Sequence, residues 1–475
     1  MHLPNHVSFR CGLPVALLAI LVTAISHARP PNIVVILADD LGWADTGFAG
    51  SDFYETPHLD RLRAQGMAFT QAYAGAGNCA PSRASLWSGQ YSPRHGVYAV
   101  GSTVRGPREL MRLDAVPNRP DLAPEIETLA EALRGSGYAT GLFGKWHLAN
   151  SDDPSRVNPA TLPAAQGFDT FVDTRADRPN RRRDDAPDDP KGAFSLTAAA
   201  VDFITAHRAR PFFAFVSHHA PHSDLESRPA SLARFSAKPP GKIHRDPLYA
   251  ACIYDLDAAV GRLLAHLDTL GLSEKTIVIF TSDNGGGDSR SQAPLRGTKG
   301  TYYEGGLRVP LIMRWPGVVA PDSASAVPVI QLDLFPTFLA LAGAAKIPSR
   351  LDGADLTPLL KGAPEAALND RPLFWHFPGY LDGSDPKDPA KAFRARPTSV
   401  IRRGDWKLHL HHEPWLLDGG AAGLPSNGAT ELFHLADDVG ELQDLSADRP
   451  AERDALLKTL LEWLRTTGAP LPRTR

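Results

Sequence analysis

Residues 32–40 read NIVVILADD, six consecutive apolar side chains closing on a pair of aspartates. A run that is apolar without alternation suits a strand buried on both faces, as in a parallel sheet covered by helices. The same pattern recurs in YATGLFGKWHL (138–148), PFFAFVSHHAPH (211–222), TIVIFTSDNGG (276–286) and VPLIMRWPG (309–317). Helical stretches separate these runs. TPHLDRLRAQG offers Thr56 as N-cap, Pro57 in the first turn and Gly66 beyond the end. IETLAEALRGSG, LTAAAVDFITAH and the long LYAACIYDLDAAVGRLLAHLDTLG follow. Strands alternating with helices predict an α/β fold, a mostly parallel sheet flanked by helices on both faces. Ligands of such sheets bind beyond the carboxyl ends of the strands. Here those ends carry Asp39–Asp40, Lys145–His147, His218–His222 and Asp283–Asn284. The convergence of these groups on one sheet edge is the main expectation from the residues alone.

A chain of 475 residues is too long for one small core, and its character changes after about residue 360. SVIRRGDWKLHLHHEP and TELFHLADD read as short antiparallel strands, and PAERDALLKTLLEWLRTTG as a final helix with leucines at 456, 457, 460, 461 and 464. The expected organisation is a segment 1–28, a large domain over 29–365 and a smaller α+β domain with an antiparallel sheet over 366–475. The first segment reads as an export signal, with GLPVALLAILVTAI behind Arg10 and small residues Ser26 and Ala28 before the expected cleavage. The apolar run is shorter than the ~20 residues that span a bilayer, and no later stretch is apolar enough to span one. The expected location is therefore outside the cytoplasm, in periplasm or medium, without a membrane anchor after cleavage. A net charge of −3 gives no reason to expect a nucleic-acid partner.

Cleavage would remove Cys11 and leave Cys79 and Cys252. Cys252, Leu256, Ala259 and Leu263 recur at helical spacing, so Cys252 is expected inside the core. Cys79 stands in GNCAPSRASLWSG (77–89), at what reads as the mouth of a helix. Free N–H groups and the helix dipole favour an anion there, and Arg83 adds a planar fork of donors. The bland alternative is a small buried cysteine beside a turn.

The carboxylates Asp39, Asp40 and Asp283, with the amide oxygen of Asn284, form an all-oxygen donor set suited to Ca2+ or Mg2+ rather than zinc. Each pair alone has a plainer reading, DNG as a hairpin turn and DD as a solvated strand end. Arg83, Lys145, Lys299, His147 and His222 supply positive or protonatable groups. Together with a divalent cation they suit an oxyanion carrying charge on several oxygens. Neither FGKW nor GTKG has P-loop spacing, which points away from a nucleoside triphosphate and toward sulfate or phosphate esters.

CAPSRASLWSG resembles the signature of the formylglycine-dependent (type I) sulfatases, in the alkaline-phosphatase-like superfamily. The likeness extends in order through NIVVILADDLGWADTG, YETPHLDRLRAQGMAFTQAYA, GKWHL, TIVIFTSDNGG, APLRGTKGTYYEGGLRVPLIMRWPG and VIRRGDWKLHL. The resemblance implies the alkaline-phosphatase-like fold and hydrolysis of sulfate monoesters. It implies conversion of Cys79 to formylglycine (3-oxoalanine) by a separate generating enzyme, with the hydrated aldehyde as nucleophile. By position, Asp39, Asp40, Asp283, Asn284 and residue 79 match the ligands of one Ca2+ ion. Arg83 would hold the diol near the metal, and Lys145 and His147 would orient it and assist its collapse. Lys299 would bind sulfate, and His222 would protonate the leaving oxygen, with His218 and His219 as neighbouring competitors.

Ser223-Asp224 after HAPH departs from the usual pattern of that family, as does the charged stretch 175–192. The arginines within 175–183 are candidates to touch an anionic substrate, against the plainer reading of a solvated loop. LFWHFPGY (373–380) resembles members that act on sulfated carbohydrates. Trp375, His376 and Tyr380 are candidates for a sugar subsite, against ordinary packing between domains. The expected substrate is a sulfated saccharide, a galactose-type sugar attacked from its end. The alternative is a phosphate or phosphonate ester hydrolase on the same scaffold. A third reading is a glycan-binding protein whose Cys79 never matures.

Overall fold

The computed structural model describes residues 1–2, 29–149, 157–173, 188–287, 292–363, 366–384, 387–388 and 391–475. The expected export segment and the arginines within 175–183 lie outside the described residues. Among the described residues, no helix is long and apolar enough to cross a membrane.

The large sheet has eight strands: β1 (Asn32–Ala38), β2 (Met67–Phe69), β3 (Ala139–Gly144), β4 (Thr170–Asp173), β5 (Phe212–Ser217), β6 (Thr276–Ser282), β7 (Leu311–Arg314) and β8 (Ser323–Ser325). Their spatial order is β8-β2-β7-β6-β1-β5-β3-β4. Only β7 runs antiparallel to its neighbours β2 and β6. The continuous apolar runs are explained by burial on both sides. Ile33, Val35 and Leu37 enter one core cluster, while Val34, Ile36 and Ala38 enter the cluster on the opposite face. Successive side chains of a strand alternate faces, so a sheet covered twice needs apolar residues at every position.

Helix α1 (Pro57–Ala64) forms where expected, but Thr56 does not cap it with its side chain. The Thr56 hydroxyl instead accepts from Gly47 N at 2.8 Å and donates to Asp60 Oδ1 at 2.9 Å. The open N–H groups of His58 and Leu59 donate to Asp257 Oδ1 at 3.1 and 2.8 Å. Asp257 lies on the long helix Pro247–Thr269, so a tertiary carboxylate replaces the local cap. That helix buries Cys252, Leu256, Ala259 and Leu263.

A second, antiparallel sheet follows, formed by β9 (Leu373–Phe377), β10 (Thr398–Arg403), β11 (Trp406–His411) and β12 (Thr430–His434). The final helix Pro450–Thr467 buries Leu456, Leu457, Leu460 and Leu464 against it. Trp463 of that helix stacks on Phe374, with ring centroids 4.6 Å apart. The core of this sheet also takes in Tyr73, Tyr91 and Tyr98 from the N-terminal part of the chain.

Candidate active site

The strands β6, β1, β5 and β3 are consecutive neighbours in the large sheet, and all four are parallel. Their register pairs Leu37 with Ser217 and Ala38 with Ser282. The carboxyl ends therefore lie level, and backbone hydrogen bonds carry the ladder past them. Asp39 N donates to Ala220 O, Asp283 N to Ala38 O, and Lys145 N to Ser217 O. This register alone brings Asp39–Asp40, Lys145, the 218–222 segment and Asp283–Asn284 together. Asp40 and His147 both hold left-handed backbone, at φ 63 and 65. Such non-glycine conformations gather at functional sites.

Cys79 is the first residue of helix α2 (Cys79–Ser88), every residue of which is buried. The loop before it is pressed against the segment carrying Lys299. Gly300 N donates to Gly77 O at 2.6 Å, and a Cβ on Gly77 would lie 2.4 Å from Thr301 O. Only glycine permits that approach. The Cys79 thiol donates to Asp40 Oδ1 at 3.6 Å. One turn further along the helix, Arg83 donates from Nε to Asp283 Oδ2 at 2.9 Å, and its Nη2 lies 2.8 Å from the same oxygen as an ion pair. Its Nη1 donates to Lys145 O at 2.8 Å and to Ser217 Oγ at 2.6 Å.

Two ammonium groups complete the centre. Lys145 Nζ donates to both oxygens of Asp39, at 2.9 and 2.7 Å, and Lys299 Nζ to Asp40 Oδ2 at 2.7 Å. His222 Nε2 lies 3.5 Å from Asp40 Oδ2, while its Nδ1 donates to Ser223 O. Burial works to raise the Asp39 carboxyl, yet Lys145, His222, Arg83 and Lys299 together hold it well below the usual range. Asp283 goes the other way, pushed up to about 7 by burial and then by the charge of Asp39. Burial also pushes the Cys79 thiol up, against the pull of Lys145 and Lys299. An unmodified thiol here is a poor nucleophile, because the thiolate is the reactive form.

The residues fit a hard divalent cation. Ligand atoms of Asp39, Asp40, Cys79 and His222 lie within 4.8 Å of one another. Asn284 Nδ2 donates to Asp40 Oδ1 at 2.8 Å. The Asn284 Oδ1 atom is buried with no hydrogen-bond partner among the described residues. A buried carbonyl oxygen without a partner is costly unless something positive meets it. Oxygen donors in this number select Ca2+ or Mg2+ over softer metals. His222 belongs to the same cluster, although the sequence placed it with the proton donors and not with the ligands.

His147 lies half-buried two residues past Lys145. Burial pushes His218 down to about 4, and His219 is also held well below the usual histidine range, first by burial. Trp375, His376 and Tyr380 are buried in packing, which decides against a sugar subsite for them. Trp375 Nε1 donates to Ala74 O at 2.9 Å, His376 Nδ1 bonds Ser399 Oγ at 2.8 Å, and Tyr380 OH donates to Glu413 at 2.7 Å. Two residues that sequence reading passed over have direct roles in the geometry. Ser217 accepts from Arg83 and donates to Lys145 O at 2.8 Å. Gln331 accepts from Ser82 Oγ at 2.7 Å and donates to Ser282 O at 2.5 Å, tying α2 to the end of β6. A serine closing an otherwise apolar strand was the one local signal for Ser217.

Comparison with known proteins agrees with this geometry. Residues 31–344 match the family model described as Sulfatase, and residues 298–395 match that of the N-sulphoglucosamine sulphohydrolase C-terminal region. The chain is 32% identical to a sulfatase of Formosa agariphila, over 93% of this chain and 90% of that protein. It is 31% identical to the N-acetylgalactosamine-6-sulfatase of Mus musculus, over 94% and 88%. Among solved structures, Ps i-CgsB in complex with k-i-k-neocarrahexaose superposes with a TM-score of 0.71 at 27% identity, covering 92% of this chain and 93% of that one. The shared fold is the alkaline-phosphatase-like one.

Proposed function

The chain belongs to the sulfatase family, the sulfuric ester hydrolases, and on that premise we propose that it hydrolyses sulfate monoesters carried on a saccharide. The observation that carries this reading is the ring of Asp39, Asp40, Asp283 and Asn284 with Arg83, Lys145 and Lys299 around Cys79 at the first turn of a buried helix. A saccharide substrate is supported by the relatives, one named for N-acetylgalactosamine-6-sulfate hydrolysis and one bound to k-i-k-neocarrahexaose.

Asp39, Asp40, Asp283 and Asn284, with residue 79, would hold one Ca2+ ion, which when bound supplies Lewis-acid stabilisation of charge on sulfate oxygens. Cys79 would be converted to formylglycine by a generating enzyme, supplying a hydroxyl nucleophile where a buried thiol cannot serve. Arg83, fixed by Asp283 and Ser217, orients residue 79. Lys299 and Lys145 bind the anionic ester and match charge on its oxygens. His222 delivers a proton from Nε2 to the leaving sugar oxygen, worth typically 10²–10⁴-fold. His147 and Lys145 orient residue 79, and the His147 imidazole accepts its proton as sulfate is released, with the Lys145 ammonium assisting by its charge. The overall change is a sulfate ester and water giving an alcohol and sulfate. Residues 1–28 would direct export, and a boundary near residue 365 would separate the catalytic domain from the C-terminal one.

The test is sulfate release from a panel of singly sulfated sugars, beside an aryl sulfate and an aryl phosphate. Strong preference for one sulfated position is expected. Faster turnover of the aryl phosphate overturns the sulfatase reading in favour of a phosphate or phosphonate ester hydrolase.

A further inference from the structure

The segment carrying His222 is held from outside the site by a residue at the end of the charged stretch 175–192. Lys191 lies in the short turn Pro190–Gly192, immediately before the helix Ala193–His207. The turn is anchored from its own side, since Asp189 accepts from Phe194 N at 2.7 Å and from Ser195 N at 3.0 Å. Lys191 holds left-handed backbone at φ 57, an uncommon conformation for a long side chain. From that fixed position its Nζ donates to Asp224 O at 2.5 Å.

Asp224 is two residues beyond His222, in an exposed stretch. His222 N donates to His219 O at 2.9 Å, which fixes the segment at its strand end. The imidazole then donates from Nδ1 to Ser223 O, leaving Nε2 toward Asp40 at 3.5 Å. The Ser223 carbonyl therefore sets the ring, and the following peptide, whose own carbonyl Lys191 grips, sets the Ser223 carbonyl. The charge of Lys191 also reaches His219, where it adds to burial in lowering that ring's proton affinity.

We propose that Lys191 is a positioning residue for the leaving-group side of the reaction, holding the 222–224 segment so that His222 Nε2 faces the departing oxygen. The inference rests on the reading of His222 as proton donor given above. A proton donor matters in proportion to the basicity of the leaving oxygen. A residue that merely supports the fold would affect all substrates alike.

The experiment compares 4-nitrophenyl sulfate with phenyl sulfate, esters of similar shape whose leaving oxygens differ in basicity. Lys191→Met should lower kcat on phenyl sulfate about tenfold or more, a share of the roughly 10²–10⁴-fold of general acid catalysis. On 4-nitrophenyl sulfate kcat should stay within about threefold, with KM little changed on both. His222→Ala should show the same split more strongly, and Lys191→Arg, which keeps a donor, should recover most of the loss. Equal loss on both esters in Lys191→Met, or no loss on either, overturns the inference, as does a His222→Ala variant without the split. Thermal melts of both Lys191 variants verify that the folded protein is being compared. A wild-type enzyme that releases no sulfate from either ester or from the sugar panel overturns the functional reading itself, before any variant is made.

Discussion

Arg83 meets a single oxygen of Asp283 with two nitrogens, Nε and Nη2, at 2.9 and 2.8 Å, while its third nitrogen spans Ser217 Oγ and Lys145 O. The guanidinium thus joins α2 to the ends of β6, β5 and β3 at once. An ammonium cannot reproduce this, because a point donor on a flexible stem reaches only one side. Arg83→Lys should lower kcat by about 10²–10³, the scale of one lost preorganised donor. It should also cost about 1–3 kcal/mol of stability through polar groups left without partners. Steady-state sulfate release and a denaturant titration check both. A lysine variant within tenfold of wild type would mean the fork is not needed.

A buried Asn284 Oδ1 with no partner among the described residues, beside the Asp39 and Asp40 carboxylates, predicts a stabilising cation. Removing divalent ions with a chelator should abolish turnover and lower the melting temperature, and Ca2+ should restore both. At a free concentration a hundred times the Kd, the ion would contribute about 2.7 kcal/mol of stability. Asp283→Asn should weaken the Ca2+-induced shift in melting temperature, a readout independent of catalysis. A melting temperature indifferent to chelator and to added Ca2+ would remove the metal from this site.

What the chain discloses by itself follows from how local each signal is. β1 was legible because burial on both faces demands apolar residues at every position, and the polar ends of four such strands pointed to one edge. Helix α1 was legible, but its cap was not, because Asp257 arrives from 199 residues away. Ser217 and Gln331 stayed hidden for the same reason. A hydroxyl or amide acquires its partner only when distant segments close, and no spacing rule records that. Cys79 was conspicuous because Pro81, Ser82 and Arg83 follow it at what reads as the first turn of a helix.

Trp375 illustrates an aromatic whose two readings only packing could separate. It is 1% exposed, donates from Nε1 to Ala74 O, and meets Tyr73 edge-on with ring centroids 5.5 Å apart. Trp375→Ala should cost about 3–5 kcal/mol, the scale of a large aromatic removed from a core. Trp375→Phe should keep KM for the sulfated sugar within about twofold while lowering stability, since it deletes the buried indole donor but keeps much of the volume. Calorimetry beside saccharide kinetics separates the two roles. A rise in KM without loss of stability would return Trp375 to the sugar.

The segment that carries Lys299 ends in a fully buried charge network. Glu304 accepts from Lys407 Nζ at 3.0 Å and from Tyr73 OH at 2.8 Å, and Lys407 also meets Glu441 at 2.9 Å. Lys407 belongs to β11, so the antiparallel sheet grips the chain five residues beyond Lys299. Burial works to raise the Glu304 carboxyl, but Lys407, Arg308 and Arg402 pull it down to about 2. A glutamate lowered on folding from an ordinary value near 4.3 stabilises the native state above that value. That stability is lost as the pH falls from about 4 through 2. Melting temperature against pH should therefore fall in this window for the wild type. Glu304→Gln should flatten the fall while lowering stability at neutral pH by about 3–5 kcal/mol, the cost of leaving a buried charge short of its partner. Because Glu304 holds the end of the Lys299 segment, the same variant should also lose kcat at pH 7 on folded protein. A variant with unchanged acid dependence would show that the ion pair does not govern acid unfolding, and unchanged kcat would uncouple the antiparallel sheet from Lys299.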